Sequence, residues 1–158
     1  MEGQVAIVTG AGGGIGKATA TLLAKEGASV VCADLNGATA AAVASEINGL
    51  MGSDTAALGI EVDVAQPAAV QSMVETCEST YGRLDVLFNN AGLMHPEDDD
   101  AVTTEEKIWD LTMNVNVKGV WFGCKYAIPV MRKSMPNQSS IFPVSCAFGW
   151  LLGRADVL

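Results

Sequence analysis

The chain has 158 residues, 49% of them hydrophobic and 17% charged. That is enough apolar material for one α/β domain with a sizeable core, and too much for a disordered chain. The formal net charge of −9 argues against nucleic acid as a partner.

Cys32, Cys77, Cys124 and Cys146 form no Cys-x-x-Cys pair, so they indicate neither a zinc site nor a redox motif. Their wide spacing fits packed thiols in a reducing compartment. The start, Met1-Glu2-Gly3-Gln4, has no basic leader region, and no stretch is apolar enough to span a membrane. The expected location is therefore cytoplasmic, with no membrane partner.

Strand and helix patterns alternate along the chain, which predicts a parallel sheet covered by helices on both faces. The first strand is expected at 4–9, as Val-Ala-Ile-Val-Thr, and it runs directly into Gly10-Ala11-Gly12-Gly13-Gly14-Ile15-Gly16. A buried strand, a glycine turn and a helix in that order form a dinucleotide site. Gly10 supplies the turn, Gly14 lets backbone approach a pyrophosphate, and Gly16 lets the helix pack on its strand. Ile15, Ala18 and Leu22 then recur at helical spacing, and Gly27 stops that helix.

A second strand is expected at 28–33 and ends at Asp34, eighteen residues beyond Gly16. A carboxylate there accepts hydrogen bonds from ribose hydroxyls and repels a 2′-phosphate, which favours NAD over NADP. Lys17 is the one nearby cation that would soften this preference. A helix at about 37–47 and a strand at 56–62 follow. Asp63, before Val64, stands either against the adenine amino group or as a cap ahead of Pro67, the two being equally compatible with the residues alone.

A helix from Pro67 to Gly82 shows Val70, Met73, Val74 and Cys77 on its buried face, and a fourth strand is expected at 84–88. Asn89-Asn90-Ala91-Gly92 comes straight after it. These amides either brace the neighbouring strand and line a ribose or make a plain turn. Residues 93–102 read as a loop, in which His95 and the run Glu97-Asp98-Asp99-Asp100 are solvated. A long helix is expected at 103–131, apolar nearly all round from Val115 to Phe122, with Pro129 kinking it near its end. Such a stretch implies burial on two sides, by the sheet and by a second copy in a homo-oligomer. A fifth strand is expected at 140–145, although Pro143 fits a central strand poorly. From 142 to 158 the chain reads as a divergent tail, with Trp150-Leu151-Leu152 near its end.

Thr9 to Gly16, Asp34, Asp63-Val64, Asn89-Asn90-Ala91-Gly92 and Asn116-Val117-Lys118-Gly119 together resemble the classical short-chain dehydrogenase/reductase family, over about residues 4–141. The resemblance implies a single Rossmann-type domain, a doubly wound but incomplete parallel sheet of order 3-2-1-4-5. It implies hydride transfer between NAD(H) and a small alcohol or ketone. By resemblance, Gly10, Gly14, Ile15 and Gly16 hold the pyrophosphate, and Asp34 selects NAD. Asp63 and Val64 form the adenine pocket, while Asn90, Ala91 and Gly92 lie on the ribose side. Asn116 corresponds to the catalytic helix asparagine.

The family's general acid/base is a tyrosine in a Tyr-x-x-x-Lys pair, whose lysine favours the phenolate. Here Tyr81 is followed four residues on by Asp85, and Tyr126 by Val130. For the family serine, the chain offers Ser145 and, at the better-aligned position, Cys146, whose thiol is a poorer donor. The expectation is a truncated and catalytically impaired relative. The alternative is a non-catalytic NAD-binding or subunit-pairing module.

Overall fold

The computed structural model describes residues 1–134 and the strand Val144–Ser145. Five parallel strands form the sheet: β1 (Val5–Thr9), β2 (Ser29–Asp34), β3 (Ala57–Glu61), β4 (Val86–Asn89) and β5 (Val144–Ser145). Their order is β3-β2-β1-β4-β5, which agrees with the order read from the sequence. Ile7 pairs with Val31 on one side and with Leu87 on the other, so β1 is central. Every residue of β1 is buried, as its β-branched, small apolar composition requires of a strand covered on both faces.

The pleat divides the core into two layers. Val8, Val30 and Cys32 point toward α1 (Gly14–Lys25) and α2 (Gly37–Met51), meeting Ala20, Ala24, Val43 and Ile47. Ile7, Val31 and Leu87 point the other way, toward α3 (Pro67–Tyr81) and α5 (Gly119–Ser134), meeting Met73, Val74, Val130 and Met131. Asn36 caps α2 by accepting from the amides of Ala38 and Thr39, and Gly52 and Gly82 end α2 and α3 in the left-handed conformation.

At the amino-terminal edge of the sheet, buried Asp85 pins three groups. Its Oδ2 accepts from Val5 N at 2.8 Å and from Arg83 Nε at 2.8 Å, while Oδ1 accepts from Arg83 Nη2 at 2.7 Å. This leaves the opposite, carboxyl-terminal edge for the loops that carry the glycine turn, Asp34, Asp63 and the asparagines.

The helical repeat of Ile15, Ala18 and Leu22 forms the outer side of α1. Ile15 is 67% and Leu22 58% exposed, whereas Gly16, Ala20 and Ala24 are buried. The cause is Gly16, which must face β1 and so turns its larger neighbours outward. The long helix expected at 103–131 is not uniform. It consists of α4 (Glu106–Met113), a π-helical turn at Asn114–Lys118, and α5, which runs five residues past Pro129. Its second apolar side is open in this chain, with Val117 at 55% and Trp121 at 56% exposure.

Candidate functional site

A cleft of about 200 Å³ lies at the carboxyl ends of β1 to β4. Gly10 contributes from the β1 loop, Asp34 and Leu35 from the end of β2, and Val62, Asp63 and Val64 from the end of β3. The opposite wall is Ala91, Gly92 and Leu93, following β4, together with Val115 from the π-helical turn. Of the proposed cofactor residues, Gly10, Asp34, Asp63, Val64, Ala91 and Gly92 thus meet in one place.

The glycine turn is shaped by contacts that a side chain would prevent. Gly10 has φ +66° and Gly14 has φ +51°, both in the left-handed region. A methyl group at Gly16 would overlap the carbonyl oxygen of Gly10 and lie 2.7 Å from Asn90 Nδ2. Over Gly13 and Gly14, by contrast, there is no atom within 4 Å of a Cβ position. The turn is therefore tight toward the sheet and open toward the solvent side. No side chain caps α1, so its first amides face that open space. These residues fit a phosphate-bearing cofactor. Ile15 flanks the open side with an exposed side chain.

Asp34 is fixed from two directions. Its Oδ2 accepts from Gly12 N at 2.8 Å and its Oδ1 accepts from Asn36 N at 3.0 Å. Gly12 cannot carry a side chain here, because a Cβ would overlap Thr39 Oγ1 and lie 2.8 Å from Asp34 Oδ2. Lys17 is engaged elsewhere, with its Nζ 2.7 Å from Glu46 Oε2. Asp63 does not cap α3, whose first turn is preceded by Gln66. Its Oδ1 accepts from Ala65 N at 2.9 Å, a local turn that leaves it on the cleft wall.

The two asparagines after β4 have separate tasks. Asn90 is a brace rather than a lining residue: its Nδ2 donates to Thr9 O at 3.0 Å and Gly10 O at 3.3 Å. Thr9 answers it, because its Oγ1 accepts from the amides of Asn90 and Ala91, both at 3.0 Å. Asn89 is buried under α5, where Gly123 leaves room for its amide.

Asn116 sits in the π-helical turn, and its amide makes a two-way bond to one residue. Oδ1 accepts from Leu93 N and Nδ2 donates to Leu93 O, each at 2.8 Å. The side chain is therefore committed to shaping the loop. Ser145 ends β5, where its backbone pairs with Asn89. Cys146 lies outside the described residues, as does most of the tail expected at 142–158. Tyr81 and Tyr126 both pack against the core on the α3 and α5 side, and burial pushes the Tyr81 phenol up.

Several contributors were not singled out from the sequence: Thr9 as an anchor, and Leu35, Leu93 and Val115 as lining. Thr9 does carry a signal, being the one hydroxyl on an otherwise apolar central strand.

The family model described as short chain dehydrogenase matches residues 4–150. The chain belongs to the short-chain dehydrogenase family. It is 37% identical over 149 residues to the 3-oxoacyl-(acyl-carrier-protein) reductase FabG of Thermotoga maritima, covering 94% of this chain and 58% of that protein. It is 38% identical over 134 residues to a cyclohexanol dehydrogenase of Acinetobacter, covering 83% of this chain and 51% of that one. The chain thus spans about half the length of these two curated relatives. The short chain dehydrogenase/reductase dpmpG of Macrophomina phaseolina is 30% identical over 160 residues, with 99% and 90% covered.

Among solved structures, a 3-ketoacyl-(acyl-carrier-protein) reductase from Brucella melitensis complexed with NADH superposes with a TM-score of 0.81. It is 35% identical, over 91% of this chain and 57% of that one. As a short-chain dehydrogenase, this chain carries a Rossmann-type fold built for a nicotinamide cofactor. Among the described residues no helix is long and apolar enough to cross a membrane.

Proposed function

We propose that this short-chain dehydrogenase binds NAD(H) in preference to NADP(H), with the adenosine half between Asp34 and the Asp63-Val64 wall. The observation that carries the reading is the seating of Asp34. Both carboxylate oxygens are already fixed by the Gly12 and Asn36 amides, and Asp34 lines the cleft. A 2′-phosphate would meet that negative charge, and Lys17, the nearby cation on the glycine turn's helix, is paired with Glu46 at 2.7 Å. The pyrophosphate belongs over Gly10, Gly14, Ile15 and Gly16, where backbone amides and the α1 dipole favour it. The ribose on the nicotinamide side lies against Ala91 and Gly92, which Asn90 and Thr9 hold in place.

The nicotinamide, when bound, supplies the hydride acceptor or donor for the carbinol carbon of a small alcohol or ketone. This chain's own part is to orient and to exclude water: Asn116 fixes Leu93, and Leu93 closes the cleft on that side. Proton transfer is where the 158 residues fall short. They contain no Tyr-x-x-x-Lys, and the candidates beside β5 are Ser145 and Cys146 only. We therefore infer cofactor binding with turnover impaired in this chain. Fluorescence titration should give tighter binding of NADH than of NADPH, and an alcohol panel should give no NAD-dependent oxidation. Equal affinity for the two cofactors would overturn the first statement, and robust saturable turnover the second.

The exposed face of the α4–α5 helix favours a second reading, a pairing module. Trp109, Val117 and Trp121 are all more than half exposed along it. Glu105, Glu106 and Asp110 lie at one end and Lys118, Lys125, Arg132 and Lys133 toward the other. Two copies packed antiparallel would bury the apolar stripe and match opposite charges. Sedimentation should report a dimer that Trp121→Glu dissociates; a monomer at every concentration removes this reading.

A further inference from the structure

We propose that Gly119 is a positioning residue for the adenosine half of the cofactor, acting through Val64. The idea rests on the cofactor reading above and concerns how the cleft keeps its width. Gly119 is the first residue of α5, directly after the π-helical turn, and it is buried. A methyl group on it would lie 3.0 Å from Val64 Cγ2, 3.2 Å from Val64 Cβ and 3.3 Å from the Val64 carbonyl oxygen. The three nearest atoms all belong to one residue, and that residue lines the cleft. The bare α-carbon is thus the seat on which the Asp63-Val64 wall rests.

The same turn carries the other wall. Asn116, three residues earlier, grips Leu93 by two hydrogen bonds of 2.8 Å. A methyl group on neighbouring Gly92 would come within 3.2 Å of Asn116 Oδ1. One short segment therefore sets both walls: Gly119 the one after β3, Asn116 the one after β4. Packed interiors shift rather than compress when a methyl is added. The part free to shift is the Val64 loop, half-buried at the cleft, rather than α5, anchored through Ala127, Val130 and Met131. Displacing that loop widens the adenosine wall and leaves Leu93 in place.

The test is Gly119→Ala, read in two ways on the whole chain. Without ligand, amide hydrogen exchange should speed up at Ala65, whose N–H donates to Asp63 Oδ1, and stay unchanged at Leu93. With ligand, NADH and AMP should bind about fivefold more weakly, while reduced nicotinamide mononucleotide changes by less than about twofold. In a Val64→Ala background, which lacks the nearest crowding atom, Val64 Cγ2, Gly119→Ala should weaken AMP by less than about twofold relative to the Val64→Ala parent, a loss of coupling that general destabilisation would not give. Where Gly119→Ala alone does not fold, the Val64→Ala background serves. There Gly119→Ser, whose hydroxyl refills the gap, should bind AMP about fivefold more weakly than its parent.

Unchanged exchange at Ala65, or equal losses for AMP and the mononucleotide, overturns the role of Gly119. A wild-type chain that binds neither NADH nor AMP overturns the cofactor reading instead. The exchange measurement still decides the coupling in that case.

Discussion

Replacing Thr9 by valine removes one hydroxyl from the hinge between β1 and β4 and keeps the shape of the side chain. The Thr9 side chain is buried, and its oxygen is the acceptor for two backbone amides, those of Asn90 and Ala91. Valine leaves the Ala91 amide without its acceptor and leaves Asn90 N with only its bond to the Phe88 carbonyl oxygen at 3.0 Å. An amide stripped of its acceptor costs about 1–3 kcal/mol when buried. Both amides are partly buried, so the orphaned Ala91 amide costs about 1–2 kcal/mol and the weakened Asn90 donor a few tenths more, about 2 kcal/mol together. For a chain of this size that is a fall of roughly 4–8 °C in Tm. Urea unfolding should show a lower midpoint at unchanged slope. Thr9→Ser, which keeps the oxygen and loses a methyl, should cost about 1 kcal/mol. Valine and serine variants of equal stability would refute the reasoning, because the hydroxyl would then not be what holds the loop.

Three further outcomes follow from the same geometry. Gly16→Ala places a methyl into the Gly10 carbonyl and should abolish soluble expression or cost at least about 3 kcal/mol, while Gly13→Ala, with open space and extended backbone, should stay within about 0.5 kcal/mol in urea unfolding. Asp85→Ala orphans the buried Val5 amide and should cost about 1–3 kcal/mol from that bond alone, with NADH affinity unchanged once the protein is folded, because the pin lies at the opposite edge of the sheet. Burial pushes the thiol of Cys32 up to about 11 and that of Cys77 up to about 12, from an ordinary value of 9.0. The folded state therefore keeps protons that the unfolded chain releases. The stability these thiols contribute is whole below pH 9 and is lost as pH rises through the folded values. Urea midpoints should fall between pH 8 and pH 10.5, and less steeply in a Cys32→Ala/Cys77→Ala variant.

The glycine turn was legible because it is written locally, as a β-branched run followed by a glycine spacing, whereas the strand order came from the family resemblance. Asp34 and Asp63 were found because each stands at the carboxyl end of an expected strand. What the spacing could not reveal was division of labour. Asn89 and Asn90 are adjacent and identical, yet one is packed under Gly123 and the other braces Thr9, a difference set by which face of β4 each side chain leaves. Which face of α1 turns inward was not legible, because periodicity identifies an apolar stripe without saying which side the sheet lies on. Only the crowding at Gly16 decides that. Gly119 was quoted as part of a motif, but its partner Val64 is distant in sequence, and no local pattern links the two.

The π-helical turn also sets a rotation. Ile108 and Thr112 of α4 and Gly119 and Gly123 of α5 would fall on nearly one stripe of an unbroken α-helix, since seven residues make about two turns. One extra residue in the turn swings the second pair by about 100°. That is why Thr112 can meet Asp98 in the loop while Gly123 meets Asn89 in the sheet. A regular α-helical turn through 114–118, with every residue kept, would have sound hydrogen bonds and an unchanged composition. It would nonetheless present the wrong side to either the loop or the sheet. The reading frame of this helix is angular, and its length there is set by phase rather than by span.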